Sequence, residues 1–147
     1  MTRTPGGVRS PGTRAWRTVE LREHRDRRGA LSVVEAGIDV GFAIRRAYYF
    51  YDVPASMVRG AHGHRSLHQL LVAVHGRFDV LVDDGVRQDR FRLDRPARGL
   101  YIGPMVWRSL VDFSPGAVGL VLASTLYDES DYFHDYGAFL KAVRGRP

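Results

Sequence analysis

VRGAHGHRSLHQLLVAVHG, residues 58–76, places two histidines one residue apart, His62 and His64, after a glycine-containing turn and ahead of an apolar run. Successive side chains of a strand point to opposite faces, so both imidazoles fall on one side. That side is expected to face a pocket. In the following run, residues 67–74, Gln69, Leu71 and Ala73 share a face of their own.

Working outward, residues 45–52, RRAYYFYD, alternate with Arg46, Tyr48 and Phe50 on one face and Ala47, Tyr49 and Tyr51 on the other. Both faces are apolar enough to be covered, and tyrosines in such a strand are usually core residues whose hydroxyl reaches a partner. Residues 16–22 and 30–35 read as strands around the turn Asp26-Arg27-Arg28-Gly29, where Arg28 by itself is a surface residue. Downstream, residues 77–82 and 86–93 flank a hairpin at Asp83-Asp84-Gly85, followed by strands at 99–102, 106–113 and 117–124. About nine or ten short strands at regular spacing predict an all-β jelly-roll barrel rather than a parallel α/β sheet. Only the end changes period: Tyr132, Phe133, Tyr136, Phe139, Leu140 and Val143 recur at helical intervals, which predicts a C-terminal helix capped by Asp128 or Ser130. His134 falls in it as a surface residue.

The bulk composition fits one globular domain, residues 15–147, behind a disordered leader at residues 1–14 rich in Pro, Gly and Arg. The net charge of +6 is not a nucleic-acid signature, because it is concentrated at the front. Residues 1–28 carry eight arginines and three carboxylates, whereas residues 29–147 carry fourteen basic and thirteen acidic side chains. With no cysteine there is no disulfide framework, thiolate ligand or cysteine nucleophile. No run is long and apolar enough to span a membrane and the leader lacks the apolar core of a signal peptide, so the expected address is cytoplasmic. Phosphate loops, nucleophile elbows and His-Glu-x-x-His are all absent, which leaves the chemistry in one place.

The spacing of Gly60, His62, His64, Gln69 and Gly76 resembles the first motif of cupin barrels, in which His, His and a carboxylate converge. Here Gln69 stands at the carboxylate position. Residues 99–112, GLYIGPMVWRSLVD, contain no histidine where the second motif of such barrels supplies one. A metal would keep two good ligands, since a neutral amide poorly replaces a carboxylate or imidazole. The pair is therefore read as serving proton chemistry, with a metal-dependent cupin oxygenase as the alternative.

Taken together, RRAYYFYDVP, the stretch 58–76, VLVDDG, GLYIGPMVW, DFS and LVLASTLYDESDYFHDYGAFL resemble the WxcM-like sugar-nucleotide 3,4-ketoisomerases over residues 26–140. The resemblance implies a cupin-type jelly roll, a homodimer, and an isomerase of deoxysugar biosynthesis. It would move the keto group of dTDP-4-keto-6-deoxyglucose from C4 to C3 with no metal or organic cofactor. His62 and His64 match the family's active-site histidines, and Arg59 matches a substrate-contacting arginine. Arg28 and Arg46 match positions that suit the diphosphate. Arg65 stands where the family usually has lysine, which puts a lysine-dependent proton donation there in doubt. Arg108 resembles the gluco-type enzymes, whereas Arg28 leans toward the galacto-type.

The chemistry is also legible from the residues. Isomerising an α-hydroxy ketone through an enediol takes a proton from C3, returns one at C4 and moves one between the oxygens. A neutral imidazole titrating near working pH suits each step, and two can divide them. Tyr48, Tyr49, Gln69 and Arg108 are candidates to stabilise the enediolate oxygen. Trp107 is either a thymine platform or a core residue. A non-catalytic sugar-nucleotide binding module and a C3/C5 epimerase remain competing readings, although the epimerase's His–Asp pairing is not obvious in the sequence.

Overall fold

The period-two segments become twelve strands in the computed structural model, which describes residues 15–145. The leader assigned to residues 1–14 lies outside them. In chain order the strands are β1 (Trp16–Glu20), β2 (Arg22–Asp26), β3 (Gly29–Val33), β4 (Arg46–Phe50), β5 (Arg59–His64), β6 (Gln69–His75) and β7 (Phe78–Asp83). Then follow β8 (Gln88–Leu93), β9 (Arg98–Ile102), β10 (Trp107–Val111), β11 (Val118–Ala123) and β12 (Tyr132–Phe133), before helix α1 (Tyr136–Arg144). Two antiparallel sheets, ordered β1-β9-β6-β11-β4 and β12-β5-β10-β7-β8, form the expected cupin-type jelly roll.

Alternation decides what lies between the sheets. Leu71 and Ala73 of β6, Phe50 of β4, Val121 of β11, Val80 and Val82 of β7 and Leu110 of β10 form the main core. Phe50, Phe78 and Phe113 pack as an aromatic cluster within it. A Cβ on Gly119 would lie 2.0 Å from the Phe50 ring, so the glycine is what admits that cluster. β6 is buried on its other face too, because Leu70 and Val72 are covered by a satellite cluster that includes Val40 and, at its edge, Phe42 and Ile44. At one end of the interior the inward positions turn polar. Arg46 and Tyr48, Gln69, His62 and His64, and Arg108 gather there.

The expected strand at residues 16–22 divides at Leu21. The chain then leaves the barrel as the β2–β3 hairpin, in which every residue but Val33 is exposed. Tyr49 and Tyr51, expected to be covered, are exposed and stack on each other at the edge strand β4 and just beyond it.

The helix starts later than its apolar period suggested. Tyr132 and Phe133 pair with His64 and Gly63 as strand, so they are extended rather than helical. Asp135 caps α1 by accepting from the Ala138 N–H (2.8 Å). Asp128 caps a separate 3-10 turn, Glu129–Asp131, by accepting from Ser130 N–H. From its late start α1 lies over the outer face of the second sheet. Phe139 rests on Gly63, where a Cβ would lie 3.2 Å from its ring. No helix among the described residues is long and apolar enough to cross a membrane.

Candidate active site

β5 carries His62 and His64 inward, and β10 brings Arg108 directly opposite His62. The Arg108 guanidinium donates through Nη2 to Nε2 of His62 (2.9 Å) and Nε2 of His64 (3.1 Å). The rings stand edge to face with centroids 4.9 Å apart. His64 and Arg108 are each only 4% exposed. Across the interior, Gln69 Nε2 donates to the Tyr48 hydroxyl (3.0 Å), and Gln69 Oε1 is buried without a partner. Both Nε2 atoms accept, so each neutral imidazole carries its proton on Nδ1.

A bulge brings Arg59 to the same mouth. Arg108 pairs with His62 but Leu110 pairs with Arg59, so β5 holds one extra residue at Gly60 and Ala61. Gly60 supplies the left-handed turn this requires (φ 62°). The register shift turns Arg59 to the side of inward-facing Leu110, and its guanidinium sits 5.7 Å over the Phe50 ring. Arg46 lies over the rings of Tyr48 (5.3 Å) and Tyr127 (5.7 Å), with its Nε buried and unpartnered. Among the described residues neither Arg46 nor Arg59 forms an ion pair.

Three candidates stand elsewhere, the first being Tyr49, which is exposed on the outer side of β4 and stacked on Tyr51. Trp107 alternates with Arg108 and points out of the barrel, packing on Tyr136 and Phe139 and lining a surface cavity of about 570 Å³. Polar groups in that cavity are already engaged: the Tyr136 hydroxyl donates to Asp83 (2.5 Å) and Arg90 to Asp79 (2.7 Å). Arg28 sits at the hairpin tip, bound to its neighbour Asp26 (2.7 Å) and 85% exposed along its side chain. In the other direction, the geometry adds Tyr132, whose ring centroid lies 5.0 Å from that of His62 and 4.3 Å from that of His64. It also adds Asp131, 3.5 Å from His64. Arg65, at the family's lysine position, donates to the backbone carbonyls of Ser130 (3.0 Å) and Tyr132 (2.8 Å) and lies over the Phe133 ring. It clamps this segment in place.

The imidazoles do not titrate near neutrality, as isolated histidines would. Burial, reinforced by the Arg108 charge, pushes His62 down to about 3 and His64 to about 2. Burial also lowers Arg108, with electrostatic attraction to the nearby Tyr48 and Tyr132 acting in the opposite direction. As pH falls below the ordinary value of 6.5, the unfolded chain takes up protons that the folded pair refuses. The pair's contribution is complete above that pH and drains away toward pH 3, by at most about 1.4 kcal/mol per unit per ring. Urea unfolding between pH 7 and 4.5 should show this loss, with a shallower slope in the H62N/H64N double variant. An identical slope in both proteins would contradict the assignment.

A divalent metal does not fit this donor set. The Arg108 guanidinium, itself a cation, sits between the two Nε2 atoms. No group of three or more metal-ligating side chains occurs among the described residues. What the cluster can do is accept and return protons beside a fixed positive charge.

The sequence profile of the FdtA family (WxcM-like, C-terminal) matches residues 14–144. The chain belongs to the FdtA family. It is 40% identical over 127 residues to the TDP-4-oxo-6-deoxy-alpha-D-glucose-3,4-oxoisomerase of Aneurinibacillus thermoaerophilus, covering 86% of this chain and 91% of that one. Among solved structures, it matches a His-to-Asn variant of the 3,4-ketoisomerase QdtA from Thermoanaerobacterium thermosaccharolyticum, in complex with TDP-4-keto-6-deoxyglucose. That match has a TM-score of 0.87 and 36% identity, covering 90% of this chain and 96% of the other. It also matches the WlaRB TDP-quinovose 3,4-ketoisomerase of Campylobacter jejuni (TM-score 0.84, 40% identity, covering 88% and 99%).

Proposed function

We propose that this chain is a sugar-nucleotide 3,4-ketoisomerase acting on dTDP-4-keto-6-deoxyglucose. The observation that carries the reading is a pair of neutral imidazoles, His64 buried and His62 half-buried, sharing one guanidinium that has no carboxylate partner among the described residues. Such a cation is costly in a protein interior. It is matched by an anion that forms only during reaction, the enediolate.

In this reading the ketone oxygen at C4 draws Arg108 toward itself and frees the imidazole lone pairs. One imidazole takes the C3 proton as the C3–C4 enediolate forms, and its charge falls on O4 beside Arg108. The proton on O3 passes to O4, and the imidazolium returns a proton to C4. The product is the 3-keto, 4-hydroxy isomer, with no net gain or loss of atoms. Imidazoles held low in the free protein are weak bases, but the developing enediolate offsets the Arg108 charge that holds them there. In the same reading Tyr48 and Gln69 would bond the sugar oxygens, and Arg46 and Arg59, which have no ion pair among the described residues, would supply cations for the diphosphate. Trp107 is left as a packing residue under α1.

NMR of the sugar after incubation with the protein tests the reading. Appearance of the 3-keto isomer supports it, and an unchanged, tightly bound 4-keto sugar points to a binding module instead. Loss of turnover with chelator would favour a metal cupin.

A homodimer belongs to the same proposal. An isolated two-stranded ribbon is marginal in water, and among the described residues no strand pairs with either edge of β2–β3, where Leu31 is 58% exposed. A second copy covering it would also account for Arg28, which has no part in this chain's own cluster. Sedimentation should give a dimer, converted toward monomer by L31D. A monomeric wild type would remove the idea.

A further inference from the structure

We propose that Asp131 is a positioning residue, fixing the tautomer and orientation of His64; this deepens the ketoisomerase reading and depends on it only for the kinetic part of its test. Arg108 donates to His64 Nε2, so the single proton of the neutral ring resides on Nδ1. That Nδ1–H is buried and lacks a hydrogen-bond partner of good geometry. The nearby acceptor is Asp131 Oδ2 at 3.5 Å, on a side chain that is only 12% exposed.

The carboxylate is held for this role. Its Oδ1 accepts from both the backbone N–H (2.9 Å) and the hydroxyl (2.7 Å) of Ser66, two residues beyond His64. The backbone carbonyl of Asp131 accepts from Arg65 N–H (2.9 Å), and the next residue, Tyr132, pairs in register with His64. The same short stretch of chain thus supports the ring from behind and sets Tyr132 beside it, tilted by 60°. A carboxylate placed on Nδ1–H leaves the Nε2 lone pair facing the interior, where a proton is taken or returned. Nothing comparable stands behind His62 in the described ion pairs, so the two imidazoles are not equivalent. Asp131 orients His64 without making it a strong base, since burial and Arg108 still hold that ring low.

Long-range 1H–15N spectra of the imidazoles test this directly. In wild type, His64 should show a protonated Nδ1 and an unprotonated Nε2. In D131N, whose amide oxygen stays on Ser66 and so turns its NH2 toward Nδ1, that donor competes with the Arg108 bond and the pattern should be lost or mixed. The kcat should fall by about 100-fold or more while KM and TDP affinity stay within about threefold. S66A, which frees the carboxylate without removing it, should fall between the two. A wild-type His64 protonated on Nε2 overturns the assignment without any variant. So does a D131N protein with an unchanged tautomer and a kcat within threefold of wild type. A wild type that shows the expected tautomer but leaves the keto sugar unconverted overturns the ketoisomerase reading and leaves the positioning role standing.

Discussion

H62N should bind dTDP-4-keto-6-deoxyglucose and fail to convert it, with kcat reduced by about 10³-fold and TDP affinity changed less than threefold. Asparagine fills much of the same space and can still bond Arg108, but its amide takes up no proton at any working pH. The loss therefore falls on proton transfer, whereas the mouth built by Arg46 and Arg59 is untouched. His62 is the more accessible of the two rings; His64 is almost fully buried and has Asp131 behind it. Single-turnover NMR with H62N is the check. Conversion at the wild-type rate would remove His62 from the chemistry.

The second large effect concerns Arg108, where activity and stability should separate. R108M is expected to lower kcat/KM by about 10²–10³-fold, the usual loss when a preorganised donor to a developing oxyanion is removed. Its stability at pH 7 should nonetheless remain within about 2 kcal/mol of wild type. Deleting one member of a buried ion pair typically costs about 3–5 kcal/mol, because the partner is left charged and alone. Here the partners are neutral imidazoles, so the loss is two unmet acceptors, about 1–3 kcal/mol each, against relief from burying an unpaired cation. The acid sensitivity of stability should also weaken, since the charge that helps hold both histidines low has gone. A stability loss above 3 kcal/mol with activity retained would make Arg108 a structural residue.

The jelly roll was legible because burial on one face imposes a strict period of two, which Arg46-Tyr48-Phe50 displays plainly, whereas β6 is buried on both faces and reads as a continuous apolar run. The histidine pair was legible for the same reason. Register was not. Alternation alone says that Trp107 and Arg108 face opposite ways, but only the pairing of Arg108 with His62 decides which one enters the site. The Gly60 bulge, which turns Arg59 to the mouth, is likewise a property of two strands together.

Asp131 and Tyr132 escaped sequence reasoning for another reason. They reach the site through a two-residue bridge to His64 and Gly63, too short to carry a period, beside apolar residues whose spacing mimics a helix. The aspartate behind a site histidine, not obvious in the sequence, is supplied from 67 positions downstream. The low basicity of the histidines was hidden as well, because it follows from burial and from a cation on a different strand.

In the proposed reaction two uncharged rings, beside a guanidinium with no carboxylate partner among the described residues, take a proton from C3 and return one exchanged with solvent to C4 of a bound keto sugar. Incubation of the wild-type protein with dTDP-4-keto-6-deoxyglucose in D2O, followed by proton NMR, addresses it most directly. A 3-keto product with deuterium at C4 is expected. Recovery of the 4-keto sugar unchanged, or a 3-keto product with only protium at C4, would contradict proton exchange through these histidines.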